Sequence, residues 1–392
     1  MPVVDIHGVA KGGAGVGRLD DGRAVFVEGA LPDERVEIEL TEEKERYARA
    51  QVGSVLIANS ARIEPPCSHI AEGCGGCDLQ HATPQLQREL KLQIVRDALE
   101  RIGKIADPTI ALGEELPATG FRTQLRGVVV GGRFALRRRQ SHRGVEITNC
   151  DVAHRLINDL IANSTFGTAS EVTMRVSVAS GERMIIVDPN TRGIEVPDDV
   201  VVIGTDELQD GKSASLRETI AGHSFRISAR SFFQTRPDGA AQLVEQVKAA
   251  AHLASGPMVD LYGGVGLFAA TVGGRHDVTV VEQSASSIAD ARVNLAGRTN
   301  AAVIRARVER WRSTPAGLVV ADPARSGLTK TGVAKVVDTG APRVVLVSCD
   351  PASLGRDAGL LEQAGYKMRY AHLVDMFPGT SHIETVSRFD LA

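Results

Sequence analysis

The chain has 392 residues, of which 43% are hydrophobic and 24% charged, so it is long enough for two or three globular domains with their own cores. Its formal net charge is −3, which excludes binding to nucleic acid through overall charge and requires local basic patches for such a partner. No apolar run is long enough to span a bilayer, and the start MPVVDIHGVAKGG lacks the features of a signal peptide, so a cytoplasmic location is expected.

Residues 1–58 predict a small, closed or partly closed β-barrel. Val36, Ile38 and Leu40 fall on one face of a strand, and Asp21-Gly22 is a strong hairpin signal. Barrels of the OB type often bind nucleic acid, but this region has 11 acidic against 7 basic side chains, which leaves its partner open.

Four of the five cysteines form a candidate metal site. Cys67, Cys74 and Cys77 have the spacing C-x6-C-x2-C, and Cys150 follows much later in the chain. In a cytoplasmic protein such a set favours metal binding over disulfides. Because zinc sites usually come as paired CxxC motifs, three clustered cysteines plus a distant one favour a 4Fe-4S cluster and leave zinc as the alternative.

Residues 59–222 predict a central α+β domain. Thr83 and Pro84 are typical of the first positions of a helix, which apolar residues at helical spacing extend to Gly103. The rest of the region is mixed and mostly β. It contains seven arginines between residues 121 and 143 with no acidic residue among them: Arg122, Arg126, Arg133, Arg137, Arg138, Arg139 and Arg143. Such a cluster favours RNA phosphate binding, with a solvated face as the alternative.

From residue 223 onward strands alternate with helices, which predicts a mostly parallel, doubly wound α/β sheet with ligands at the carboxyl ends of its strands. In VDLYGGVG, residues 259–266, Asp260 precedes a glycine turn, and Glu282 ends the next strand. An acid at that second position suits the two hydroxyls of a ribose. The third glycine of the dinucleotide motif GxGxxG is absent, so S-adenosylmethionine is favoured over a dinucleotide.

The strand RVVLVSC ends at Cys349, directly before Asp350 and a proline. A lone cysteine often only fills a core, but at the carboxyl end of a parallel strand it is placed as a nucleophile. Asp322 in ADPARSG ends the preceding strand, and Glu384 in DMFPGTSHIE follows a loop near the last strands. A thiol, two carboxylates and a methyl donor are therefore predicted to share one crevice.

Together these segments resemble the RNA uracil-C5 methyltransferase family, whose members make 5-methyluridine, and in particular its ribosomal RNA branch with a TRAM barrel and a 4Fe-4S cluster. The resemblance covers nearly the whole chain. It rests on GVGR with AVFVEGALPDERVEIEL for the TRAM domain, PPCSHIAEGCGGCDLQH for the cluster segment, and SFFQ, VDLYGGVG, DPARSGL, SCDPASLGRD and DMFPGTSHIE for the catalytic domain. It implies a TRAM domain over 1–58, a cluster- and RNA-binding domain over 59–222, and a Rossmann-like methyltransferase domain over 223–392.

The resemblance also implies roles for single residues. Cys349 is the expected nucleophile and Glu384 the expected base. The residues expected to contact S-adenosylmethionine or the target base are Gln234, Tyr262, Glu282 and Asp322, and those expected to hold the cluster are Cys67, Cys74, Cys77 and Cys150. The chain departs from the family pattern at three positions: Leu267 stands where many members have Asn, Ala324 replaces a proline, and Asp350 replaces the more frequent Asn.

The expected chemistry agrees with these residues. Carbon 5 of uracil is a weak nucleophile, so the Cys349 thiolate first adds to carbon 6 and creates an enolate that can attack a sulfonium methyl. Glu384 then removes the carbon-5 proton so that the thiol can leave. Because a stacked base is out of reach, the RNA must present the uridine splayed out, held by the arginine segment and the barrel.

Two other classes of protein are weighed against this one. A radical methylthiotransferase also combines a TRAM barrel with an iron–sulfur cluster, but it predicts C-x3-C-x2-C and a C-terminal TRAM domain, neither of which is present. A non-catalytic iron–sulfur RNA-binding protein predicts loss of Cys349 or Glu384, and both are present. The expected substrate is 23S ribosomal RNA, with transfer RNA as the alternative, and the expected state is a monomer without a membrane partner.

Overall fold

The computed structural model describes residues 1–392, and its N-terminal sheet curls into a barrel. The six strands of that sheet are β1 (Val3–Asp5), β2 (Gly8–Val9), β3 (Gly15–Arg18), β4 (Ala24–Glu28), β5 (Arg35–Glu43) and β6 (Tyr47–Ile57). Their order is β1-β5-β6-β4-β3-β2, so β1 and β2 lie at opposite edges. Only two residues separate β1 from β2 in the chain, so the two edges of this sheet lie close together. The strands enclose a small apolar core of their own, in agreement with the predicted barrel.

The interior of the barrel follows the predicted alternation with one exception. Val36 and Ile38 are fully buried, whereas Leu40 is 37% exposed. Leu40 lies directly before a bulge, since the pairing of β5 with β6 shifts register between Leu40 and Glu42, and a bulge interrupts the regular alternation of a strand. The predicted hairpin at Asp21-Gly22 joins β3 to β4.

A helix and a short strand follow the barrel: α1 (Pro84–Arg101) and β7 (Ile110–Leu112). The predicted start of α1 is confirmed, because Thr83 is its N-cap, accepts a hydrogen bond from the Leu86 N–H, and precedes a proline at the first helical position.

The central sheet comes next. Its elements are β8 (Gln124–Val130), β9 (Arg133–Arg137), β10 (Gly144–Glu146), α2 (Arg155–Asn163), β11 (Glu171–Val176), β12 (Arg183–Asp188), β13 (Val200–Gly204) and α3 (Thr205–Gln209). The strands lie in the order β10-β9-β8-β11-β12-β13, and all neighbours are antiparallel except β12 and β13. The α2 helix packs against this sheet and buries Ile157, Leu160 and Ile161.

The C-terminal part begins with a hairpin of β14 (Ser215–Ile220) and β15 (His223–Ser228). The remaining elements are α4 (Pro237–Ala251), β16 (Met258–Leu261), α5 (Leu267–Thr271), β17 (Val278–Glu282), α6 (Ala285–Asn294), β18 (Ala301–Arg305), β19 (Leu318–Ala321), α7 (Thr329–Val337), β20 (Arg343–Ser348), α8 (Pro351–Gln363), β21 (Tyr366–Val374) and β22 (Glu384–Leu391). The strand order is β18-β17-β16-β19-β20-β22-β21-β7. The first five strands are parallel, so the predicted mostly parallel α/β sheet is confirmed.

Contacts cross the predicted domain boundaries in two places. β7 pairs with β21 in the C-terminal sheet, and α1 shares its buried core with α8, so residues 84–112 join the C-terminal unit and not the central one. Residue 223 begins β15, whose hairpin partner β14 lies before the predicted boundary. The apolar face of α1 shows that the helix is buried, but nothing near it in the chain indicates the partner, which comes much later.

Two large cores lie on either side of the C-terminal sheet. Val9 and Leu31 of the barrel reach into one of them, the core that also contains α1 and α8, so the barrel is packed onto the C-terminal unit. The helices include none that is both long and apolar enough to cross a bilayer.

Candidate active site

The three residues predicted to perform chemistry meet at one edge of the C-terminal sheet. Cys349 directly follows β20, and Asp322 directly follows the neighbouring parallel strand β19. β22 runs antiparallel to β20, so its first residue, Glu384, lies beside the end of β20, where Ser348 pairs with Thr385. Carboxyl ends of parallel strands and the start of an antiparallel neighbour thus bring the thiol and both carboxyl groups together.

Burial and like charges govern the ionisation of this group. Glu384 is 6% exposed, and burial together with the nearby Asp322 charge raises its pKa well above its usual value. Burial also raises the pKa of Asp322. For Cys349, burial and the charges of Glu384 and Asp322 raise the thiol pKa to about 12, while the Arg325 guanidinium acts in the opposite direction. The two carboxyl groups therefore favour the protonated thiol in the free protein.

The residue after the candidate nucleophile caps a helix. The Asp350 carboxylate accepts a hydrogen bond from the Ser353 N–H at 2.9 Å, at the N-terminus of α8. It also forms an ion pair with Lys11 of the barrel. Burial opposes ionisation of Asp350, but the hydrogen bonds from Lys11 and Ser353 outweigh it and lower the pKa. The barrel therefore reaches the strand end that carries Cys349.

The predicted cofactor crevice is built on the turn after β16. Gly264, whose φ of +53° suits glycine, donates its N–H to Glu282 at 3.1 Å. The other oxygen of Glu282 accepts from the N–H groups of Gln283 and Ser284, both at 2.7 Å. Three backbone donors thus fix the Glu282 carboxylate at the carboxyl end of β17 before any ligand arrives.

Asp260 and Tyr262 flank the same turn. Asp260 is fully buried and accepts from the Ala269 N–H at 2.9 Å, while burial raises its pKa to about 8. Tyr262 has a φ of +58°, and its hydroxyl donates to Glu309 at 3.3 Å. A positive φ is uncommon for a tyrosine and is often found where a backbone is shaped around a ligand.

Gln234 is linked less directly to the other predicted site residues than Glu282 and Tyr262 are. It is half-buried in the loop between β15 and α4 and makes no hydrogen bond to the other predicted site residues. Its neighbour Arg236 is fully buried, donates to the carbonyls of Met376 and Pro117, and lies over the Phe121 ring at 4.3 Å. The loop of Gln234 is therefore anchored to the loop that precedes Glu384.

The four predicted metal ligands line a single cavity of about 220 Å³: Cys67, Cys74, Cys77 and Cys150. Burial is the main cause that raises the pKa of all four thiols, for Cys77 to about 12. No three His, Cys, Asp or Glu side chains converge closely enough to hold one metal ion. The thiols therefore surround a space and do not meet at a point.

The arginine segment is less uniform than predicted. Arg126 and Arg137 form ion pairs with Glu171 of β11, so they have a counter-charge that the segment itself lacks. Arg122 turns inward and lines the cysteine cavity. Arg138 and Arg139 remain exposed, in an open groove of about 610 Å³ with no hydrophobic lining residue, although Arg139 also lies within 4.0 Å of Asp78 and 3.7 Å of Glu28. The exposed basic surface is thus smaller than seven arginines would give. The antiparallel pairing of β11 with β8 brings Glu171 close to Arg126 and Arg137.

Two residues near the site were not predicted. Arg325 lies three positions after Asp322 in the same DPARSG motif, so its nearness to Cys349 could have been inferred from that motif. Lys11 had no comparable signal, because it belongs to the barrel and meets Asp350 only through the packing of two domains.

Comparison with known proteins adds relatives of nearly full length. Residues 3–52 match the family model described as TRAM domain. The chain is 34% identical to an uncharacterized RNA methyltransferase of Streptomyces avermitilis, with 98% of this chain and 96% of that protein covered. It is 33% identical to an uncharacterized RNA methyltransferase of Streptomyces coelicolor, with 98% and 91% covered.

Among solved structures, the chain is similar to the Pyrococcus abyssi tRNA (uracil-54, C5)-methyltransferase in complex with S-adenosyl-L-homocysteine. The TM-score is 0.73 at 21% sequence identity, and the alignment covers 98% of this chain and 99% of that one. At this identity the likeness establishes the shared fold over the whole chain.

Proposed function

The chain belongs to the TRAM-containing RNA methyltransferases, and from that premise we propose that it transfers the methyl group of S-adenosylmethionine to carbon 5 of a uridine in RNA. The observation that carries the proposal is the meeting of Cys349, Asp322 and Glu384 at one sheet edge. A thiol beside two carboxyl groups is the set needed for nucleophilic addition followed by proton removal.

In the proposed reaction Cys349 Sγ adds to carbon 6 of the uracil, and the electron pair of the C5–C6 double bond moves toward carbon 5. S-adenosylmethionine, when bound, supplies an electrophilic methyl group for carbon 5. Glu384 then takes the carbon-5 proton, the C5–C6 double bond re-forms, and the C6–S bond breaks to release Cys349. Burial supports this role for Glu384, because a carboxylate with a raised pKa is a stronger base.

The cofactor side of the proposal rests on the turn after β16. Glu282 is held by three backbone N–H groups and keeps lone pairs that can accept from ribose hydroxyls. We assign Tyr262 and Gln234 to contacts with the cofactor or the target base. We assign Asp322 to orienting the cofactor or the uracil ring. The P. abyssi enzyme of the same fold was solved with S-adenosyl-L-homocysteine, which supports this class of ligand.

We also propose that Cys67, Cys74, Cys77 and Cys150 hold a 4Fe-4S cluster. The fit is supported by the four thiols that line one cavity. Binding would displace the thiol protons, whose pKa values burial has raised. Bound there, the cluster would tie the segment before α1 to the central domain, and the proposed reaction needs no electron from it.

For the RNA we propose large-subunit ribosomal RNA, as the resemblance to the ribosomal branch implies. The groove with Arg138 and Arg139 supplies exposed guanidinium groups for phosphates. Phe232, which is 69% exposed two residues before Gln234, adds an aromatic face near the predicted site.

The proposal is tested with purified protein, labelled S-adenosylmethionine, and ribosomal and transfer RNA from a strain that lacks the gene. We expect 5-methyluridine in digested ribosomal RNA with the wild type, and background levels with Cys349→Ala. Glu384→Gln should methylate the base but fail to release it, leaving an RNA–protein adduct that survives denaturing electrophoresis. Glu245→Gln, a carboxylate change on the exposed face of α4, is the matched control and should behave as the wild type.

Other outcomes separate the parts of the proposal. If 5-methyluridine forms in transfer RNA alone, the substrate is transfer RNA and the proposed reaction stands. A methylated base other than 5-methyluridine would overturn the uracil-C5 assignment. If Cys349→Ala keeps activity within tenfold of the wild type, Cys349 is not the nucleophile.

A further inference from the structure

The loop that delivers Glu384 is held by the segment that carries the cysteines. Residues 375–383 connect β21 to β22, and Glu384 follows directly as the first residue of β22. The Asp78 carboxylate, next to Cys77, accepts two hydrogen bonds from Ser381 of this loop: one from its N–H and one from its hydroxyl, both at 2.6 Å. Ser381 lies three residues before Glu384.

The backbone continues the same contact. The Leu79 N–H donates to the Gly379 carbonyl at 2.9 Å, and the Gly379 N–H donates to the Gln87 side chain of α1 at 2.7 Å. Gly379 has a φ of +76°, and a Cβ built there would lie 3.9 Å from Cys77 Cβ and 3.3 Å from the Gln80 side chain. The positive φ thus requires glycine for the turn, and any larger residue would also crowd the Gln80 side chain.

Two cations hold the start of the loop. Lys91 of α1 is fully buried and donates to Asp375 at 2.6 Å and to the Phe377 carbonyl at 2.9 Å. Arg122, which lines the cysteine cavity, lies 5.6 Å from the centre of the Phe377 ring. The cavity wall and the loop therefore form one packed unit.

We propose that the cysteine segment positions Glu384 for proton removal, and that Asp78 is the positioning residue through which it does so. This inference rests on the proposed function. Asp78 contacts neither reacting atom; it fixes Ser381, and Ser381 fixes the backbone that leads into Glu384. The step it serves is the transfer of the carbon-5 proton to Glu384, in which the C–H electron pair re-forms the C5–C6 double bond and the C6–S pair returns to Cys349.

The test compares the two halves of the reaction in Asp78→Ala, Asp78→Asn and Glu89→Gln. Glu89 is exposed on α1, the helix that also carries Gln87 and Lys91, and serves as the matched control. Single-turnover methyl transfer, the amount of denaturant-resistant RNA–protein adduct, iron and acid-labile sulfide content, and amide hydrogen exchange of residues 376–383 are measured for each.

We expect Asp78→Ala to slow release of methylated RNA by roughly ten- to a hundredfold, since small misplacements of a catalytic group have effects of that size. Methyl transfer should stay within about threefold and iron content should equal that of the wild type, while adduct accumulates and exchange in residues 376–383 becomes faster. Asp78→Asn keeps an oxygen for the Ser381 N–H and should restore release to within a few-fold of the wild type. Glu89→Gln should leave every measurement unchanged.

Three results would overturn the inference. The first is an Asp78→Ala protein that releases product at the wild-type rate. The second is one that loses iron and slows both half-reactions equally, which indicates a structural role alone. The third is an Asp78→Asn protein as impaired as Asp78→Ala. If Glu384→Gln traps adduct while Asp78→Ala does not, only the inference fails. If wild-type protein makes no 5-methyluridine, the proposed function itself fails.

Discussion

At the scale of the residue, the environment of Cys349 disfavours the form that the proposed reaction needs. Burial and two carboxyl groups raise the thiol pKa to about 12, and only the Arg325 guanidinium among the nearby charges opposes them. A protonated thiol is neutral and a thiolate is negative, so each neighbouring negative charge destabilises the thiolate and raises the pKa of the thiol. The free protein should therefore keep a protected thiol, and a cationic sulfonium in the same crevice would favour its ionisation.

This predicts the alkylation behaviour of Cys349. Its reaction with iodoacetamide should be slow at neutral pH and rise roughly tenfold for each pH unit up to about pH 10, because the thiolate is the reactive form. Asp322→Asn removes a neighbouring carboxylate charge, so at pH 9 Cys349 of this variant should react faster than in the wild type, by roughly tenfold. Glu384→Gln should change the rate in the same direction. Mass spectrometry of the peptide containing Cys349 measures the modified fraction without interference from the other cysteines.

Glu245→Gln provides the control for that series, because its carboxylate lies on the exposed face of α4. Its profile should overlay that of the wild type. A wild-type profile that is already flat above pH 8 would contradict the electrostatic argument, since it would mean that the thiol ionises near its ordinary pKa.

At the scale of the element, the start of α8 depends on Asp350 in two separable ways. The carboxylate caps the helix through the Ser353 N–H and pairs with Lys11 of the barrel. Asp350→Ala removes both contacts and should lower the free energy of unfolding by about 1 kcal/mol, the usual cost of a lost N-cap. Asp350→Asn keeps the cap and loses only the ion pair, so its loss should be about 0.5 kcal/mol or less.

Thermal unfolding of the two variants and of Lys11→Met checks this order. Lys11→Met removes the ion pair alone and should melt close to Asp350→Asn, with Asp350→Ala melting lowest. If Asp350→Asn melts as low as Asp350→Ala, the ion pair and not the cap stabilises this end of α8. The more frequent Asn of the family pattern would then not be equivalent at this position.

The elements predicted with success are those whose signals are local. The alternation of strands and helices after residue 223 predicted a mostly parallel sheet, and the rule for strand ends predicted that Cys349, Asp322 and Glu384 share one crevice. Contacts between distant segments could not be predicted in the same way. The pairing of β7 with β21 and the contact of Asp78 with Ser381 depend on which surfaces pack together, and no spacing within the chain encodes that.

At the scale of the whole molecule, the C-terminal unit is not continuous in sequence. Residues 84–112 supply a helix over α8 and an edge strand to the C-terminal sheet. The buried residues that α1 contributes to the shared core are Leu90, Ile94, Val95 and Leu99. Burying each large aliphatic side chain is worth about 1.5–3 kcal/mol, so this helix contributes on the order of 10 kcal/mol, as much as the net stability of a typical domain.

That arithmetic predicts how fragments behave. A fragment of residues 223–392 lacks α1, β7 and β14, so it exposes the apolar faces of α8 and β21 and should aggregate or unfold without cooperativity. A fragment of residues 60–392 keeps all three and should give a cooperative thermal transition by circular dichroism, below that of the full chain because contacts from Val9 and Leu31 are lost. A cooperative transition for residues 223–392 would show that the parallel sheet is stable without α1. In that case the early segment serves to hold the loop before Glu384, through Lys91 and Gln87, and not to complete a core.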